Sequence, residues 1–190
     1  MAVSNRPRKK RHVKRYMSPF AVKTNELEHL KQDFQRFSLT CEITLPAGTC
    51  SADDVYCMRD WFNLVKIALL FPKERTWLQD TIDVVIERYN LDVDPTPEAV
   101  YAEAVKAGES VRQLGVRGLE RGNFVCKSDE LNAIRDFALF AGPIIQLSLD
   151  LCPRRTMKEY LAMKELVHGK EAQGKTTVDL ATLERTINKY

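Results

Sequence analysis

Apolar residues recur at helical spacing along most of the chain. Asn25, with Glu28 three positions on, reads as a capping box, and Leu27, Leu30, Phe34 and Phe37 behind it form one apolar face. Leu39, Cys41, Ile43 and Leu45 then alternate with polar neighbours, which predicts a short strand or extended segment closed by Pro46 and Gly48. Ser51 or Asp53 opens a second helix that buries Val55, Met58, Trp61, Phe62, Val65 and Leu69. It ends at Phe71-Pro72, because the residue before proline avoids the α region. Trp77, Leu78, Ile82, Val85 and Tyr89 mark a third helix.

Thr96-Pro97-Glu98 sets a capping hydroxyl, a proline at the first helical position and an early acid in order. Val100, Tyr101, Ala104, Val105, Val111 and Leu114 carry that helix to about Leu114, and Gly115, Gly118 and Gly122 are expected to break it. Ser128 caps an apolar helix through Leu131, Ile134, Ala138, Ala141, Ile145 and Leu149, with Gly142-Pro143 expected to kink or split it. Met157, Tyr160, Leu161, Lys164 and Val167 give a helix ending near Gly169. After a polar linker, Leu180, Leu183, Ile187 and Tyr190 give a short last one. No internal repeat interrupts this order. Eight Gly and eight Pro are few for a sandwich or barrel. The expected fold is mostly α, six to seven helices in an irregular bundle with at most one short β element.

Charge divides the chain differently. Of 29 Lys and Arg, eight fall in the first 25 residues, ahead of Glu26, the first acid; residues 26–190 keep 21 bases against 26 acids. A +8 arm is thus joined to a −5 body, and such asymmetry points to a polyanionic partner. The arm repels itself and buries nothing, so it is expected to lack fixed structure in isolation. The domain reading is a basic arm over 1–23, a helical domain over 24–168, and a polar linker with a short helix over 169–190.

Within the arm, Arg6, Arg8, Lys9, Lys10, Arg11, Lys14 and Arg15 are the candidate nucleic-acid-binding residues, with Tyr16 able to stack on an unpaired base. Six neutralised phosphates would give a log–log salt slope of about −4 to −5. The same block also fits an acidic protein patch, or a nuclear-import signal in a eukaryotic chain. Opposite signs on arm and body make contact between them a further expectation.

Catalytic and metal signatures are sparse. The chain has no G-x-S-x-G, P-loop, G-x-G-x-x-G or H-E-x-x-H pattern. The five cysteines, Cys41, Cys50, Cys57, Cys126 and Cys152, include no C-x-x-C pair and are odd in number. They suit a reducing cytosol rather than a disulfide framework. His12, His29 and His168 stand apart from them, so no metal or cofactor is expected. Asp53-Asp54 and Asp92-Val93-Asp94 are explained by the helix dipole, and Arg117-Gly118, Arg121-Gly122 and Arg154-Arg155 by helix ends. No run approaches a membrane span, and no apolar stretch follows the basic residues as a signal peptide requires. The expected location is the cytoplasm.

Arg11-His12-Val13-Lys14-Arg15-Tyr16, Asp60-Trp61-Phe62-Asn63-Leu64-Val65, Arg121-Gly122-Asn123-Phe124-Val125 and Ser128-Asp129-Glu130-Leu131 occur in an order that resembles a group of small phage and prophage proteins. The resemblance covers most of residues 8–165, and the chain departs from it in the central cysteine-containing stretch and the C-terminal extension. It implies a basic arm on a helical body, made as an accessory protein in a bacterial cytoplasm, and supplies no catalytic residues. The leading expectation is a non-enzymatic nucleic-acid-binding accessory protein. The alternatives are an adaptor or antagonist that docks its body on a host assembly, and a virion component touching the genome.

Overall fold

The computed structural model describes residues 19–171 and 180–190, with side chains over 26–166 and 181–190. Its described part is all-α. Seven α-helices follow in order: α1 (Pro19–Leu39), α2 (Ala52–Leu70), α3 (Leu78–Tyr89), α4 (Pro97–Arg121), α5 (Ser128–Leu151), α6 (Pro153–Glu171) and α7 (Leu180–Lys189). The only β feature among the described residues is one isolated antiparallel bridge between Cys50 and Phe124.

α2 is the central element. Trp61, Phe62, Leu64, Val65, Ile67, Ala68 and Leu69 are all buried, so its second half is apolar on almost every side. A helix with no polar face must be enclosed, and α1, α4, α5 and α6 enclose it. A chain of ring contacts fixes the arrangement. Phe34 meets Trp61 edge-on at 5.5 Å, Phe37 meets Phe62 at 5.7 Å, and Phe62 meets Phe137 at 4.8 Å. These rings join α1, α2 and α5 in favoured edge-to-face geometry. Trp61 also lies 6.0 Å from Tyr160 of α6.

The helix starts follow local chemistry. Ser51, not Asp53, caps α2: its hydroxyl accepts the Asp54 N–H at 3.2 Å while the Asp54 carboxylate accepts the Ser51 N–H at 2.9 Å. Thr96 accepts the Ala99 N–H at 3.2 Å ahead of Pro97. α5 is entered from Lys127, whose N–H donates to Glu130 at 3.0 Å, so Ser128 is the first helical residue rather than its cap. At the other end of the chain α7 packs back on α6, burying Leu183 and Ile187, with Lys189 Nζ 2.9 Å from Glu165.

Four further expectations need correction. α1 begins at Pro19, so Asn25 lies inside it rather than at its start. The alternating stretch is not extended: α1 runs directly into a π-helical turn, Thr40–Thr44. There Cys41 and Leu45, four apart, are buried, while Leu39 and Ile43, also four apart, are exposed. Two interleaved helical pairs imitate a period of two. The third correction is α4, which continues through Gly115 and Gly118 to Arg121 and stops only at Gly122, where φ is +72°. The fourth is α5, which is not split at Gly142-Pro143; Phe140, Ala141, Ile144 and Ile145 are buried on both sides of the proline.

Candidate functional site

The arm residues Arg6, Arg8, Lys9, Lys10, Arg11, Lys14, Arg15 and Tyr16 lie outside the described residues, and Lys23 falls in the first turns of α1. What the body shows is where the arm leaves it. Arg36 pairs with Asp54 at 2.8 Å, and the Cys57 thiol donates to the Asp33 carbonyl at 3.6 Å. Those contacts make α1 antiparallel to α2. The Pro19 end of α1 therefore lies beside the C-terminal end of α2, next to the link into α3.

Two clusters of charge hold the body together. Arg75 on that link donates to Glu159 of α6, with relative exposures of 1% and 0%. Arg155 donates to the same carboxylate at 2.7 Å, pairs with Glu74 at 3.0 Å and lies over the Phe71 ring. So Arg155 belongs to a structural network rather than to an open basic surface. On the other side of α2, Asp60 is buried between Arg59, at 3.1 Å, and Lys164, at 2.6 Å, and the Tyr160 hydroxyl donates to Asp33 at 3.3 Å. Arg117 likewise pairs with Glu130 across the α4–α5 turn.

Four of the five thiols are poor nucleophiles. Burial pushes Cys57 up to about 12 and Cys126 up to about 11, with neighbouring carboxylates adding to it. Burial raises Cys41 and Cys50 as well. A thiol attacks as its thiolate, which these environments oppose. Among the described residues no three His, Cys, Asp or Glu side chains converge as metal ligands.

Of the surface grooves among the described residues, two have the least polar linings. The first, about 170 Å³, lies between α2 and α4 and is lined by Val55, Tyr56, Val111, Gly115, Leu119 and Phe124. Leu119 is 67% exposed and Tyr56 46% exposed, so its rim is open and apolar. The second, about 410 Å³, lies between α3 and α5, with Trp77, Val84, Tyr89, Pro143 and Leu147 as its apolar lining. Trp61, by contrast, is fully in the core.

The second groove sits in the acidic part of the body. Residues 78–98 contain Asp80, Asp83, Glu87, Asp92, Asp94 and Glu98 against Arg88 alone. That −5 equals the whole acidic excess of residues 26–190. All six carboxylates are exposed, and none enters an ion pair among the described residues. Asp80, Asp83, Val84 and Glu87 follow the spacing of one helical ridge. Sequence reading explained Asp92 and Asp94 by capping and missed the concentration; a windowed charge count would have found it.

No family model, no curated protein and no solved structure matches the chain.

Proposed function

We propose that this is a nucleic-acid-binding accessory protein of the small phage and prophage type it resembles, using its basic N-terminal arm to grip phosphates. The observation that carries the reading is the separation of charge: every one of the first eight bases precedes the first acid, and the body that follows is net acidic. Lys and Arg at that density release condensed counterions from a nucleic-acid backbone. Phosphate contacts fix position without reading sequence, so the reading assigns the arm affinity and leaves orientation to the body.

The experiment keeps the helical body whole, since α1 already begins at Pro19. Arg8, Lys9, Lys10 and Arg11 are replaced by Gln, and binding to labelled duplex DNA, single-stranded DNA and RNA is followed across a salt series. The native protein is expected to show a steep salt dependence, and the variant a slope smaller by about 3–4 on duplex. Equal slopes, or no binding by the native protein at low salt, would overturn the reading.

A second reading is favoured by the α2–α4 groove. Its open apolar rim, with Tyr56 and Leu119 standing out, suits a docked protein segment. In that reading the body is an adaptor for a host assembly. Tyr56→Ala with Leu119→Ala would abolish capture of such a partner while leaving nucleic-acid binding unchanged.

A further inference from the structure

We infer that the α3–α5 groove is a docking site for the chain's own basic arm, residues 6–17, held in cis and displaced by nucleic acid. The docking stands on the body's surface; its competition with nucleic acid rests on the function proposed above.

Charge is the first argument. The arm carries seven bases between Arg6 and Arg15 with no acid among them. Residues 78–98 of the body carry an acidic excess of five; Asp80 lines the groove, Asp83 and Glu87 follow it at helical spacing beside that lining, and all three carboxylates are exposed with no cation paired to them among the described residues. Arg88, lying 5.5 Å over the Tyr89 ring, opposes Asp80 on that lining, so the acidic excess comes from the carboxylates beside it. Shape is the second. The rest of the groove lining is largely apolar, with Val84 59% exposed and Tyr89 45% exposed. The arm sets Val13 among its bases and Tyr16 and Met17 directly after them, giving a segment that is apolar and cationic together.

Reach is the third. The antiparallel pairing of α1 on α2 delivers Pro19 to the end of the bundle from which α3 departs. Twelve extended residues cover about 40 Å at roughly 3.3 Å each, more than the width of a helix pair. A bound arm would place its bases on carboxylates, so phosphates must compete with the body for the same side chains. The acidic ridge would also repel nucleic acid from this face.

The test uses the full chain without nucleic acid first. Asp80→Asn, Asp83→Asn and Glu87→Gln are combined, and a control of equal charge change combines Glu120→Gln, Asp136→Asn and Glu184→Gln. Trypsin cleavage between Arg8 and Arg15 is followed by mass spectrometry at low salt. The triple ridge variant is expected to be cut in the arm about tenfold faster than the native chain, as the site's occupancy is lost, and the control no faster. Equal cleavage of native and ridge variant overturns the docking. Equal acceleration by the control reduces it to net charge and overturns the site. Protection that grows with protein concentration overturns the cis arrangement in favour of a second copy. Duplex affinity is then measured: a gain of about tenfold in the ridge variant supports the competition. Arm protection without any nucleic-acid binding keeps the docking and removes the function, whereas binding without protection does the reverse.

Discussion

Arg75 Nη2 donates to Glu159 Oε2 inside the body, joining the link before α3 to the middle of α6 with both side chains out of solvent. Arg75 Nε and Nη1 find no partner among the described residues, so the guanidinium depends on this one carboxylate. Glu159 is better supplied, because Arg155 also donates to it. The two halves of the pair are therefore unequal. Glu159→Gln should cost about 3–5 kcal/mol, the scale for stranding a buried charge, and Arg75→Met clearly less. Arg75→Met with Glu159→Met should recover most of the loss, since apolar replacement of a buried pair is often neutral. Urea unfolding of the four proteins checks this; strictly additive losses would contradict it.

Glycines inside α4 and α5 should respond oppositely to alanine. A Cβ on Gly118 would overlap the Phe124 ring, which covers the helix there. Overpacking of this kind costs about 1–3 kcal/mol, more than the gain in helix propensity. Gly142 has nothing within 4 Å of an added Cβ and an ordinary helical backbone. Gly118→Ala should therefore lower the unfolding midpoint and Phe124→Ala should offset it, whereas Gly142→Ala should add roughly 0.5–1 kcal/mol. Thermal unfolding of the three variants separates propensity from packing.

The same glycines show what the sequence carried. Periodicity identified the α2 core correctly: Val55, Met58, Trp61, Phe62, Val65 and Leu69 are all buried. The fold class followed from such faces. Gly115 and Gly118 read as breaks because local propensity disfavours them. Their reason for being helical is the approach of Val55 and Phe124, a tertiary fact invisible in a window. Leu39 to Leu45 misled for another cause, since four alternating positions cannot distinguish a strand from two helical pairs. The arm was legible as charge. The acidic ridge and the Arg75–Glu159 pair were not, one because single acids near helix starts had a sufficient local explanation, the other because its partners are 84 residues apart.

Lys66 offers a test at high pH. It sits half-buried in α2 with its ammonium near Gly108, in no ion pair among the described residues, and burial lowers its pKa from the ordinary 10.5. A base with a depressed pKa is disfavoured in its charged form by folding, so it penalises stability below its folded pKa. That penalty fades as pH rises toward the unfolded value. Lys66→Met should stabilise the protein by about 1 kcal/mol at neutral pH, the order of burying one apolar group. The advantage should shrink on approach to pH 10.5. A gap that stays constant with pH would show that packing, not charge, sets the difference.

Glu130 makes the complementary prediction in acid. Burial pushes its pKa up, but the Arg117 guanidinium and the Lys127 N–H outweigh that and hold it below the ordinary 4.5. A carboxylate with a depressed folded pKa contributes stability that is complete above its unfolded pKa and is lost as pH falls through the folded one. Glu130→Gln keeps the shape and the acceptor for Lys127 but removes the charge facing Arg117. It should cost about 1–2 kcal/mol at neutral pH, the scale of a hydrogen bond to a charged group in a partly buried site. Below the folded pKa the native side chain is also neutral, so the two stability curves should converge there. Denaturant unfolding of both proteins from neutral to strongly acid pH decides it. Curves that run parallel throughout would mean that the turn between α4 and α5 is held by the Glu130 hydrogen bonds alone, independent of its charge.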